Sequence, residues 1–137
     1  MNALARPAVS IDALEQATVD AESFDHESHV YAAWLYLERW PLLEATERFC
    51  SAIRRLTIKL GADTKYHATI TCFFMQLINE RRQTSPATNW MRFRRDNADL
   101  VCDAGETLGR YYSEELLGSE LARQHYLLPD RVTQKPA

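Results

Sequence analysis

Four histidines punctuate the chain: His26, His29, His67 and His125. Imidazole titrates near neutrality. In its neutral form it can take a proton, hold a hydrogen bond or ligate a metal ion. His26 and His29 are spaced i, i+3, which places them on one side of a helix. His67 follows about 40 positions later, and only the fold can bring it to the other two. Three convergent imidazoles would suit Zn, Cu, Fe or Mn, with an open position for water if the site were catalytic. A metal-free version uses one histidine as general base, oriented by another or by the hydroxyls of Tyr66, Thr69 or Thr71. In the purely structural version the histidines are caps or half-buried polar packers. His125 reads as a surface residue.

The elements that must position these rings are helices. Asp25 is a good N-cap, with Phe24 placed to fold back as a hydrophobic staple. Val30, Ala33, Trp34 and Leu37 then recur at i, i+3, i+4, i+7, one buried helical stripe. Pro41 ends this helix near Arg39 or Trp40 and starts the next. That second helix runs from about Pro41 to Leu60 on a stripe of Leu42, Ala45, Phe49, Ile53, Leu56 and Leu60, and Gly61 stops it. A third helix is predicted after Asp63 or Thr64, with Tyr66, Ile70, Phe73 and Leu77 on one face and Phe74 and Ile78 beside it. Ser85-Pro86 opens a fourth, carrying Trp90, Phe93, Leu100 and Val101. Beyond Asp103 the pattern shortens to a turn at Tyr111–Leu117 and a short helix capped by Ser119.

Short connections at Pro41 and Gly61 would run the first three helices up, down, up. The starts of the first and third then share one end of the molecule, and His26, His29 and His67 meet there. His26 and His29 lie one turn before stripe residues, Val30 and Ala33, so they flank the buried face. The positive end of a helix also disfavours protonation of a first-turn imidazole.

Composition bounds the rest. The chain has 137 residues, 46% apolar and 26% charged, with a formal charge of −3, the balance of a single soluble globular domain. No apolar run approaches the roughly 20 residues of a membrane span, and the first ten residues lack the core of a secretory signal. The expected location is cytoplasmic. Cys50, Cys72 and Cys102 show no C-x-x-C spacing and read as small apolar fillers. Arg81, Arg82, Arg92, Arg94 and Arg95 interleave with Trp90 and Phe93. Such a pattern can grip single-stranded nucleic acid, but the spacing of the aromatics reads more simply as core, and nucleic acid is not the expected partner. Arg48 or Arg55 could contact an anion.

Three segments carry a resemblance: FDHESHVYAAWLYLERW (24–40), KYHATIT (65–71) and YYSEELLGSELARQHYLLPD (111–130). Their layout resembles a group of short bacterial all-helical proteins of unassigned function with an H-x-x-H-V … K-Y-H-x-T pattern. The resemblance covers about residues 24 to 130. It implies that His26, His29 and His67 belong to a shared pattern with Tyr66, Thr69, Ser113 and Pro129-Asp130. Where that group tends to have Glu after the K-Y-H histidine, this chain has Ala68.

The expectation is thus an all-α, single-domain four- to five-helix bundle with short connections. Residues 1–23 would be a flexible arm, 24–130 the bundle and 131–137 a tail. His26, His29 and His67 would be metal ligands or bases, with Tyr66 and Thr69 as orienters, acting on a small molecule with or without a divalent transition metal. The alternative is a non-enzymatic interaction module that forms a homodimer through exposed aromatics, Trp34, Tyr36, Trp40 and Trp90.

Overall fold

A computed structural model describes residues 6–84 and 89–131. It is all-α, and no strand occurs among the described residues. Three long helices form its centre: α2 (His26–Arg39), α3 (Leu42–Lys59) and α4 (Ala68–Thr84). They pack against one another pairwise. A short α1 (Ile11–Glu15) precedes them. Five short helices follow: α5 (Trp90–Asp96), α6 (Ala98–Cys102), α7 (Ala104–Gly109), α8 (Glu114–Leu117) and α9 (Glu120–Gln124). Among the described residues no helix is long and apolar enough to cross a membrane.

The local signals for α2 and α3 act as the sequence suggests. The Asp25 carboxylate accepts the Ser28 amide at 2.9 Å, which satisfies one orphan donor of the first turn and holds that carboxyl below its ordinary pKa. Pro41 is the N-cap of α3, its carbonyl accepting the Ala45 amide at 2.8 Å. At the other end Gly61 adopts φ +68°. The Ala62 amide reaches the Thr57 carbonyl at 2.7 Å and the Gly61 amide reaches Ile58 at 3.1 Å, the paired bonds of a Schellman end. A side chain at position 61 would be strained by the left-handed backbone, although the space around it is open. Gly61→Ala is expected to cost about 1 kcal/mol, measurable as a lowered urea midpoint with unchanged slope.

Elsewhere the structure departs from the sequence expectation. The third long helix begins at Ala68, not after Asp63 or Thr64, because a 3₁₀ turn over Asp63–Lys65 precedes it. The single fourth helix, expected to run to about Asp103, is broken at Asn97. The apolar period runs through that region, but the buried Asn97 side chain donates to the Phe93 carbonyl at 3.0 Å, competing with the helix ladder. Its Oδ1 accepts from Arg81, which also clasps both Asp99 oxygens at 3.0 and 2.8 Å. The long elements therefore number three, and the C-terminal third is a chain of short turns, not the fourth and fifth members of a regular bundle. The expected Ser85-Pro86 start lies outside the described residues, as does all of the expected tail but Arg131.

Residues 10–23, expected as part of a loose arm, are docked. Leu14 is fully buried. Arg55 donates to the Glu15 carbonyl and Lys59 to the Ala17 carbonyl, both at 2.7 Å, and the Tyr36 hydroxyl donates to Glu15 at 3.2 Å. The thin apolar face of α1 was enough because long polar side chains from α3 take up the carbonyls where it ends. The aromatics expected on a dimer surface are mostly core: Trp34, Tyr36 and Trp90 are buried. Trp40 is half-buried, with the Arg48 guanidinium 4.3 Å from its ring.

Candidate functional site

The starts of α2 and α4 do meet. A cavity of about 700 Å³ is lined by His26, His29 and His67 together with Phe24, Tyr66 and Thr71. A smaller one of about 240 Å³, walled largely by apolar residues of α2, α4 and α7, shares His26, His29, Ile70 and Thr71 with it. These four residues form a partition between the two spaces. The three imidazoles, distant in sequence, thus line one space, but each is held differently.

His67 is the N-cap of α4. Its carbonyl accepts the Thr71 amide at 3.0 Å and its Nδ1 accepts the Ile70 amide at 3.2 Å. Its Nε2–H donates to the Leu117 carbonyl at 2.8 Å. Leu117 is the last residue of α8, where carbonyls lack intrahelical partners. Both ring nitrogens are therefore engaged, one accepting and one donating, in the neutral Nε2–H tautomer.

His26 works similarly with one nitrogen. Its Nε2–H donates to the Leu100 carbonyl at 2.8 Å, near the end of α6, and its ring meets Phe74 edge-on at 5.7 Å. Its Nδ1 carries no hydrogen bond from the described residues. His29 differs from both. It is the partner in the staple: its ring lies 4.1 Å from that of Phe24. Burial, reinforced by the nearby His26 and only partly opposed by Asp25, pushes its pKa down to about 4. His29 is thus neutral at pH 7, and neither of its nitrogens has a hydrogen-bond partner among the described residues.

The expected orienters serve other groups. Thr69 is fully buried. Its hydroxyl lies 2.7 Å from the Ala122 carbonyl and 2.8 Å from that of His125, and its oxygen accepts the Leu127 amide at 3.1 Å. Burial raises the pKa of the Tyr66 hydroxyl, and the neighbouring Cys50 adds to that shift. Thr71 does touch the site, donating to the His67 carbonyl at 2.8 Å while lining both cavities. Arg48 pairs with Glu44 at 3.1 Å and Arg55 binds the Glu15 carbonyl. Neither lines the two cavities.

The residues of the K-Y-H-x-T segment therefore act largely as fasteners. His67 ties the start of α4 to α8, and Thr69 ties it to α9 and the strand of chain after it. That chain is fastened in turn: the Tyr112 hydroxyl donates to the Leu127 carbonyl at 2.8 Å, and Ser113 gives its amide and hydroxyl to Asp130 at 2.8 and 2.6 Å. Of the arginines clustered between positions 81 and 95, Arg94 is held by Glu27 at 2.9 Å and Arg82 by Glu38 at 2.6 Å.

One pairing escaped the sequence reading. Cys50 and Cys72 face each other with their sulfurs 3.8 Å apart. A signal was present: each stands eleven residues from Gly61, and equal distances from the turn of a helical hairpin bring two residues level. Among the described residues no group of three or more His, Cys, Asp or Glu side chains forms a ready-made metal cluster. Comparison of the chain with known protein families, with curated proteins and with solved structures yields no match.

Proposed function

We propose that the paired cavities at the joined starts of α2 and α4 bind a small, mostly apolar molecule whose one polar group is received by His29. The observation that carries this reading is a half-buried, neutral imidazole without a hydrogen-bond partner among the described residues, in the wall between two cavities. The smaller cavity is largely apolar, and apolar walls with a few placed polar groups are the usual make-up of a ligand site. Thr71 stands beside it with a hydroxyl oxygen able to accept.

Acid–base chemistry on the ligand is the extension of this reading, and His29 is its base. An imidazole with so low a pKa is fully available at pH 7 but draws protons weakly, so recognition comes first. An acidic group on the ligand would raise that pKa and sharpen the base. The metal version has its own support in two donors, a His29 nitrogen and His26 Nδ1, at i, i+3 spacing. To become a third ligand His67 would have to release either Leu117 or the first turn of α4.

Imidazole nitrogen chemical shifts test both. Indole and hexanol, each apolar with one hydrogen-bonding group, serve as probes, and zinc and manganese(II) chlorides test the metal version. The expected result is a saturable shift at His29, little change at His67, and loss of binding in His29→Phe. If no probe or ion moves the His29 resonances of the folded protein, the reading fails.

A further inference from the structure

A second reactive site lies between α3 and α4 and rests on none of the histidine argument. Cys50 of α3 and Cys72 of α4 share a thiol hydrogen bond across 3.8 Å. Both are half-buried and unbridged. Their protonation is divided unequally. Either sulfur could donate across this contact; with Cys50 as the donor the bond favours the Cys72 thiolate and brings its pKa down to about 7, against the opposing pull of burial. The same bond, together with burial, pushes the half-buried Cys50 thiol up. A thiolate beside a protonated thiol is the arrangement that thiol–disulfide chemistry requires.

We propose that Cys50 and Cys72 are a reversible redox pair oxidised by hydroperoxides, with Cys72 as the attacking sulfur and Cys50 as the resolving one. In the first step the Cys72 thiolate attacks the terminal peroxide oxygen. The S–O bond forms, the O–O bond breaks, and the departing alkoxide takes a proton to leave as an alcohol, or as water from hydrogen peroxide. Cys72 is then a sulfenic acid. In the second step Cys50 sulfur attacks Cys72 sulfur, the S–O bond breaks, and the Cys50 proton leaves with the hydroxyl as water. In sum, two thiols and one hydroperoxide give one disulfide, one alcohol and one water. The sulfurs must approach from 3.8 Å to the roughly 2.05 Å of a disulfide, a closure that side-chain rotation and a shift of α3 against α4 would have to supply. A reducing dithiol reverses the change. The exposed Cys102 takes no part in it.

The test uses the full chain carrying Cys102→Ser and one equivalent of hydrogen peroxide. Both remaining thiols should disappear, the protein should become two hydrogen atoms lighter, and peptide mapping should join Cys50 to Cys72. Dithiothreitol should restore the starting mass. With Cys50→Ser added, oxidation should stop at a Cys72 sulfenic acid that dimedone captures. With Cys72→Ser instead, Cys50 should stay unmodified under the same exposure. The proposal is overturned if the folded protein keeps both thiols under peroxide that oxidises the unfolded chain. It is equally overturned if dimedone labels Cys50 as readily as Cys72. Peptide mapping without the serine variants at positions 50 and 72 decides the first point, so a variant that fails to fold does not obscure it.

Discussion

Thr69→Val will destabilise the protein by about 3 kcal/mol. The side chain keeps its shape and loses only its hydroxyl. That hydroxyl serves the carbonyls of Ala122 and His125 and the amide of Leu127. Each buried polar group left without a partner costs about 1–3 kcal/mol. The ends of these groups that reach water recover part of the loss, and one hydroxyl proton serves only one carbonyl at a time, which keeps the sum at the lower end of what three such groups would give. Thr71→Val is the control. Its hydroxyl bonds only the His67 carbonyl, within its own turn, and its removal should cost less than about 1 kcal/mol. Urea midpoints at constant slope measure both. Hydrogen exchange should show the Leu127 amide losing protection in Thr69→Val and keeping it in Thr71→Val. Equal losses in the two variants would contradict the fastening role given to Thr69.

The second large effect is one of pH. His29 has a pKa near 4 in the folded chain and about 6.5 when unfolded. Between those values the unfolded state binds a proton that the folded state refuses. Unfolding therefore takes up protons in this window, and stability rises with pH across it. The contribution is complete above about pH 6.5 and is lost as pH falls toward 4. It amounts to about 3 kcal/mol at one pKa unit per 1.36 kcal/mol. Urea denaturation at pH 7.5 and 4.5 should show this loss in the parent, superimposed on the general acid sensitivity of its carboxylates. His29→Leu should remove most of the difference that belongs to this window. A variant with the same pH dependence as the parent would mean that His29 is protonated in the fold.

The two central helices were legible because their signals are local. Asp25, Pro41 and Gly61 mark ends through bonds that span five residues or fewer, and the apolar stripe between them reports which face is buried. That His26, His29 and His67 line one cavity follows from chain direction, which puts the starts of α2 and α4 at the same end. What each imidazole does was not legible. Its partners, Leu100 and Leu117, come from short C-terminal helices 74 and 50 residues away, and no periodicity encodes such a distance. The start of α4 was misplaced because histidine is not among the residues that ordinarily announce a cap. The broken fourth helix was hidden because Asn97 acts through a bond to Phe93 and another to Arg81, while the apolar period around it continues undisturbed. The exposed-aromatic surface came from counting large rings without knowing that they stack on each other, as Trp34 and Trp90 do at 5.9 Å.

The reach of these fastenings sets an order of assembly. The bonds that close the histidine cavity join residues 50 to 74 positions apart, whereas α2, α3 and α4 are near neighbours along the chain. Contacts between remote residues form late, because the loop must close before any bond rewards it. During synthesis a chain emerging as far as Gly109 has its three long helices but lacks Leu117 and Ala122, the acceptors that hold the first turn of α4. The histidine cavity is thus completed only once residues 110–124 have been made, and a nascent chain halted before them is a helical scaffold with that cavity still open.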